Sequence, residues 1–254
     1  MRAPRSFEPD RVSLRLLRRR SDDRVELWTE TVGQLPPVYG EGWMERDGRS
    51  FRRFEPARSK LSAAIVAEWS GPIPRPGERW LYLGAASGTT ASHMADLVGP
   101  SGRVYALERS LRPFARLLAA SERWPNLLPI LGDARSPEEY ADLVPVVDGV
   151  YADIAQPDQI EIVRRNAALL LGGDGAAVLV ALKTASMGRE QSAVRHRDSA
   201  EVALADGVDL APGVRLEPFH RGHYLIGGTM NAGGARSPGA LTRPRGTSRG
   251  PRRR

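Results

Sequence analysis

The sequence predicts an α/β protein: a doubly wound, mostly parallel sheet behind a small β-rich N-terminal region. Three observations carry that prediction. From Glu78 onward, strand-like and helix-like runs alternate. GAAVLVALK, ending at Lys183, is almost wholly apolar, as a central parallel strand covered on both faces should be. The first strand of the series runs into a Gly/Ser/Thr turn, GAASGTT, and the ends of the next three strands each carry a carboxylate.

The elements follow in order. RVELWTETV has short-strand character, LPPVYGEG reads as a turn, and Trp43 to Phe54 reads as a hairpin around Arg46-Asp47-Gly48. Arg18 to Arg20 break the alternation of this region. ARSKLSAAIVAEW is amphipathic and helical, ending before the turn-rich GPIPRPGE. Then come strand RWLYLG, helix SGTTASHMADLVG, strand RVYALE and helix LRPFARLLAASER. LLPILGD is a strand, SPEEYADLV a short helix, VDGVYADI a strand and DQIEIVRRNAALLL a helix closed by Gly172-Gly173. After GAAVLVALK, GREQSAVRHRDSAEVALADG reads as a helix, and VRLEPF and HYLIGGTM as an edge hairpin. The Gly/Pro/Arg/Ser segment after Met230 has too few large apolar groups to build a core.

Composition bounds the function. The chain has 254 residues, 41% of them hydrophobic and 26% charged, values of an ordinary globular chain. Its longest apolar stretch, Ala167 to Leu182, is interrupted by Gly172, Gly173 and Asp174, too broken for a membrane span. MRAPRSFEPD has no apolar core of a secretory signal. With no cysteine, a thiolate zinc site and a cysteine nucleophile are excluded, and no metal is assigned. An intracellular location is expected. The net charge of +7 resides in Asn231 to Arg254, which holds seven arginines and no acid. Such a segment either binds phosphate backbones or solubilises the chain. Of 37 Lys and Arg residues, only Lys60 and Lys183 are lysine. Lysine is a compact charge that can surrender its proton when desolvated, and arginine cannot. Where arginine dominates so strongly, the two lysines mark positions where arginine fails.

In open α/β sheets, ligands bind beyond the carboxyl ends of the strands. Gly84 and Gly88 let the backbone approach a ligand there, and Ser87, Thr89 and Thr90 add hydroxyls and N–H donors. Glu108 ends the second strand about 20 residues beyond the glycine turn, where a carboxylate grips ribose hydroxyls. Asp133 ends the third strand, placed to read an adenine amino group, and Asp153 ends the fourth. The loop is not GxGxxG, which favours a nucleoside over a pyrophosphate dinucleotide. Lys183 ends the fifth strand, Lys60 lies in the helix before the first, and His223 begins the last.

YLGAASGTT with SHMADLVGPSGRVYALE, the run RSKLSAAI, PNLLPILGDAR and ADIAQPDQ resemble the fibrillarin family of RNA 2′-O-methyltransferases. The resemblance covers about residues 38 to 183 and continues more weakly to about residue 230 through RLEPFHRGHYLIGG. It implies a class I methyltransferase domain over residues 58–230, a small β-rich domain over 1–57, and a disordered tail over 231–254. It implies S-adenosylmethionine as methyl donor. By resemblance, Gly84, Ala85, Ser87, Thr89 and Thr90 hold the donor's methionine and ribose, Glu108 its ribose, and Asp133 with Ala134 its adenine. Asp153 and Gln156 fall beside the methyl group. The family's catalytic Lys-Asp-Lys-His set falls on Lys60, Asp153, Lys183 and His223, so both lysines land on catalytic positions. The reading of their roles is that Lys183, desolvated, acts as general base or stabilises the alkoxide, and that Asp153 orients it. Lys60 and His223 would then position the ribose and its phosphate. The partners implied are an rRNA or tRNA substrate, a box C/D guide RNA, a Nop-type scaffold protein and a kink-turn-binding protein, without a membrane. A compact archaeal-type member acts in the cytoplasm, and only a eukaryotic one in the nucleolus.

The chain departs from the family pattern in places. Its first 37 residues carry no convincing resemblance, Glu55-Pro56-Ala57 stands where the family has Asn-Pro, and Gly222 replaces an acid before His223. Thr184 to Asp209 is divergent. Other readings are a stand-alone RNA methyltransferase, a protein-glutamine methyltransferase, a non-catalytic scaffold component, and an NAD-dependent oxidoreductase. The missing third glycine speaks against the last.

Overall fold

The structure is a computed structural model, and it describes residues 7–10, 13–21, 24–35, 37, 39–184 and 190–231. The arginine-rich tail after Asn231, and the first residues expected in the helix near Gly188, lie outside the described residues.

The N-terminal region is an antiparallel sheet of five strands, β1 (Glu8–Pro9), β2 (Leu16–Ser21), β3 (Arg24–Glu30), β4 (Trp43–Arg46) and β5 (Arg49–Arg53), in the order β1-β2-β3-β5-β4. The predicted hairpin is β4–β5. Asp47 and Gly48 at its turn have φ of 52° and 71°, the paired positive values that suit the twist of a two-residue hairpin. The arginine run lies inside β2. Each of its residues meets a carboxylate: Arg18 binds Asp10 and Glu68, Arg19 binds Glu26, and Arg20 binds Glu68. Those pairings let a strand form where hydrophobic alternation fails.

The second sheet has seven strands: β6 (Arg79–Leu83), β7 (Arg103–Glu108), β8 (Leu127–Leu131), β9 (Gly149–Ala152), β10 (Ala177–Lys183), β11 (Val208–Arg215) and β12 (His223–Met230). Their order is β11-β12-β10-β9-β6-β7-β8. β6 to β10 are parallel, and β12 pairs antiparallel with both β10 and β11. The order reverses at β6, whose neighbours are β7 on one side and β9 on the other; that reversal opens a crevice at the strands' carboxyl ends.

The helices are α1 (Lys60–Val66), α2 (Thr89–Val98), α3 (Leu111–Ser121), α4 (Gln159–Leu170) and α5 (Glu190–Ala205). The two-residue period of the strands sends alternate side chains to opposite faces. Trp80, Tyr82, Val104, Ala106, Tyr151 and Leu179 pack toward α1, α2 and α3, in one core with Leu16, Leu27 and Phe54 of the N-terminal region. Leu81, Leu83, Leu107, Val150, Val178 and Val180 pack on the other face toward α4 and α5.

Two expectations are corrected. SPEEYADLV forms two single 3₁₀ turns, Pro137–Glu139 and Ala141–Leu143, and not one helix. Tyr140 between them leaves helical geometry (φ −127°, ψ 4°) to bury its ring and donate its hydroxyl to Asn166. The strand expected at VRLEPF starts earlier and ends at Arg215, and Glu217 to Phe219 turn instead. Pro212-Gly213 looks like a strand breaker. It is accommodated because β11 is an edge strand whose register shifts between Ala211 and Val214.

Candidate active site

The site is built on the carboxyl ends of β6 to β10. After Leu83 the chain turns at Gly84 (φ +81°), where a Cβ would stand 2.6 Å from the Asp153 carbonyl oxygen. Glycine is needed there on both counts, dihedral and space. The Gly84 and Ala85 N–H groups donate to the Leu107 carbonyl at 3.0 and 2.9 Å, tying the turn to the end of β7. At Gly88 (φ +89°) a Cβ would meet Leu117 and the Tyr39 hydroxyl, and Thr89 then opens α2.

Glu108 is buried at the end of β7. One carboxylate oxygen accepts the Ala86 N–H at 3.0 Å and the other the Ser110 N–H at 2.7 Å. Each oxygen keeps a second lone pair, the arrangement a ribose diol needs as a donor pair. At the end of β8, Asp133 accepts the Arg135 N–H at 3.0 Å. Arg135 bridges this loop to the one after β9, donating to Gln156 at 2.8 Å and to both oxygens of Asp158 at 3.0 and 2.8 Å.

Asp153 receives Lys60 Nζ on both carboxylate oxygens, at 2.7 and 2.6 Å. Lys60 is the first residue of α1, capped by Ser59, and Ser59 accepts the Thr90 hydroxyl at 3.0 Å. The start of α1 is therefore tied to the start of α2. Lys183 and His223 face each other as paired residues of β10 and β12. Burial lowers the His223 pKa below its ordinary value, and its Nδ1–H donates to the Arg221 carbonyl at 2.9 Å. With the ring neutral, Nε2 remains an acceptor. Tyr82 at the cleft floor is hydrogen-bonded to Thr90, and burial pushes its pKa well up, so its phenol keeps its proton.

Two adjoining clefts run along this rim. One, about 450 Å³, holds Lys60, Asp153, Lys183 and His223 with the Gly84-to-Thr90 turn. The other, about 380 Å³, holds Glu108, Asp133, Ala134 and Gln156. Gly84, Ala86 and Asp153 to Ala155 form their common wall. Apart from Gly88, which shapes the turn from behind, every site residue singled out from the sequence lines one cleft or the other.

A family model described as Fibrillarin matches residues 15–232. The chain belongs to the fibrillarin family. A "Fibrillarin-like rRNA/tRNA 2′-O-methyltransferase" of Aeropyrum pernix is 44% identical over 211 residues, 82% of this chain and 90% of that protein. The crystal structure of Aeropyrum pernix fibrillarin with natively bound S-adenosyl-L-methionine superposes with a TM-score of 0.77 at 39% identity, covering 87% of this chain and 97% of that one. The fibrillarin chain of a fibrillarin/Nop5p complex gives 0.71 at 35% identity, covering 81% and 94%. Family membership fixes the fold as a methyltransferase sheet behind a separate antiparallel N-terminal sheet.

Within this family fold, the geometry revises two expected contacts. Asp153 engages Lys60, not Lys183, because α1 delivers the Lys60 ammonium between its two oxygens. Lys183 is exposed at the strand tip and has no ion-pair partner among the described residues, so the protein alone does not desolvate it. Sequence reading missed His220, whose Nε2–H donates to the Pro56 carbonyl at 2.8 Å and whose ring centroid lies 6.1 Å from that of His223. It missed Tyr39, Arg58, Ser59 and Tyr82 as well. The quoted motifs held a signal for most of them: RSKLSAAI carries Arg58 and Ser59 beside Lys60, YLGAASGTT opens on Tyr82, and RLEPFHRGHYLIGG contains His220, whereas Tyr39 lies in a stretch read only as a turn. Among the described residues, no helix is long and apolar enough to cross a membrane.

Proposed function

We propose that this protein transfers a methyl group from S-adenosylmethionine to ribose 2′-hydroxyls of rRNA or tRNA. The observation that carries the proposal is the gathering of both lysines of the chain, Asp153 and His223 in one cleft, beside a glycine turn and a buried ribose-type carboxylate. The residues suit the donor. Glu108 offers two acceptors to a sugar diol, Asp133 and Ala134 offer an acceptor and backbone groups to a base, and Asp153 offers negative charge on the shared wall. When bound, the donor supplies an activated sulfonium methyl.

The chain's own task is to align a sugar hydroxyl and take its proton, and alignment supplies much of the rate in such a transfer. Lys183 Nζ receives the 2′-hydroxyl proton as the oxygen attacks the methyl carbon, or as an ammonium holds the developing alkoxide while that proton passes to solvent water. RNA docked over the strand tip covers Lys183 and excludes bulk water from the amine and the hydroxyl it serves. Lys60 fixes the Asp153 carboxylate in one rotamer. His223, neutral, presents Nε2 to the ribose.

The complex of a relative with Nop5p supports a Nop-type scaffold as partner. We extend the reading to a box C/D guide RNA and a kink-turn-binding protein, as the resemblance implies. Mapping 2′-O-methyl sites in total RNA with and without the gene tests this. Loss of guide-complementary sites is the expected result. Loss of one fixed site means a stand-alone enzyme. Unchanged methylation overturns the activity.

A further inference from the structure

We propose that Arg58 forms a phosphate subsite at the mouth of the catalytic cleft, seating the phosphodiester next to the ribose that is methylated. The inference rests on the RNA-methylation reading above and deepens it, because the expected assignment of the phosphate to Lys60 conflicts with the geometry. The charged residues of the cleft are Arg58, Lys60, Lys183 and Asp153. Asp153 occupies Lys60 on both oxygens, so that ammonium is already neutralised. Lys183 is taken up by the hydroxyl it serves. Arg58 is the cation left over.

Arg58 is exposed and has no carboxylate partner among the described residues. One N–H of its guanidinium, on Nη1, donates to the Tyr39 carbonyl at 2.7 Å. The other edge is free to present a planar fork, which matches two phosphate oxygens better than an ammonium does. It is also held in place. The Tyr39 hydroxyl donates to the Ser87 carbonyl at 2.7 Å, within the donor turn. Tyr39 thus clamps Arg58 to the loop that cradles the methyl donor, and Arg58 lies two residues before Lys60. The anion and the methyl group are referenced to one piece of backbone. On a ribose, the 2′-hydroxyl neighbours the 3′-phosphodiester, so fixing that phosphate fixes the nucleophile.

The test uses the full-length protein in its assembly with RNA, comparing wild type, Arg58→Gln and Arg58→Lys. Each meets an RNA carrying either a natural or a neutral methylphosphonate linkage 3′ to the target nucleotide. Arg58→Gln should raise the RNA KM on the order of tenfold, the size of one charge-assisted hydrogen bond. It should lower the salt slope of RNA binding by about one. Arg58→Lys should recover the charge but only part of the KM. S-adenosylhomocysteine affinity should be unchanged in both, which shows that each variant is folded. The methylphosphonate should penalise wild type and leave Arg58→Gln no worse. Penalties that multiply, or a wild-type KM in Arg58→Gln, overturn the subsite. A wild type that methylates no RNA removes the functional reading, and the subsite falls with it.

Discussion

Lys60 and Lys183 illustrate two reasons for keeping lysine in an arginine-rich chain. At Lys60 a single nitrogen sits between both oxygens of Asp153, 2.7 and 2.6 Å away, with only about a fifth of either side chain exposed. A guanidinium is wider and would need the carboxylate to withdraw. Lys183 is the reverse case: exposed, unpaired among the described residues, and facing His223 across the β10–β12 ladder. Its use lies in the proton it can accept, which arginine cannot accept at any working pH. Lys183→Arg should keep the charge, the strand and the donor affinity. Methyl transfer should fall by about 10²-fold or more, the usual contribution of a positioned proton acceptor. Single-turnover transfer and calorimetric S-adenosylhomocysteine binding measure the two quantities separately. Wild-type transfer by Lys183→Arg would remove the general-base role and leave only electrostatic support of the alkoxide.

The elements carrying the site are held together by a charge that no periodicity reveals. Arg52 on β5 is fully buried and bonds Asp96 and Ser92 of α2 at 2.6 and 2.9 Å and Glu41 at 2.6 Å, with its guanidinium 4.4 Å from the Trp124 ring centre. Asp96 also accepts from Thr29, Val32 and Trp124. This knot fastens the N-terminal sheet to the helix that begins at the donor turn. Arg52→Met strands two buried carboxylates and should cost about 3–5 kcal/mol of unfolding free energy in urea. Arg20→Met, from an exposed pair with Glu68, should cost at most about 1 kcal/mol. Equal losses would mean the knot adds nothing beyond a surface pair. His93 of α2 belongs to the same region. Its Nδ1 is 2.8 Å from the Thr29 hydroxyl, which itself donates to Asp96, so the proton sits on Nδ1. Burial first, then Arg52 and Arg58, hold its pKa well below 6.5. Below about pH 6.5 the unfolded chain gains a proton there that the native state refuses, so stability falls with pH. His93→Gln should flatten that fall by up to about 1.4 kcal/mol per pH unit, read from urea midpoints between pH 7 and 5. An unchanged slope would place the proton uptake elsewhere, at His220 or His223. These interactions explain what was legible in the sequence. The strand–helix alternation, the glycine turn, the acids at strand ends and the two lysines are local patterns, and apart from the helix expected at SPEEYADLV and the strand expected at VRLEPF each falls where its pattern placed it. A buried Arg52, an arginine-rich β2 neutralised by distant carboxylates, and the choice of Lys60 over Lys183 by Asp153 depend on residues far apart in the chain. Local patterns carry no information about them.

At the scale of the whole molecule, the last strand leads the chain away from the catalytic rim. β12 starts at His223 on the catalytic rim and ends at Met230, and the following Asn231 N–H donates to the Gly207 carbonyl at 3.1 Å. Eight residues of strand put Asn231 roughly 26 Å from His223, at the opposite rim. All seven tail arginines follow Asn231 in the sequence, and without them basic and acidic residues balance. Fully extended, the 23 residues of 232–254 span at most roughly 80 Å, enough to touch a bound RNA. The tail should therefore act on encounter and not on chemistry. Ending the chain at Asn231 should leave S-adenosylhomocysteine affinity and the single-turnover rate at saturating RNA unchanged. RNA affinity at low salt should drop, and the slope of log K against log salt should flatten by about 0.7–0.9 for each phosphate the arginines no longer neutralise. A titration of RNA from about 50 to 200 mM salt measures both. An unchanged slope would make the tail a solubilising appendage. A fall in the saturated rate would place it at the cleft, against the direction in which β12 carries the chain.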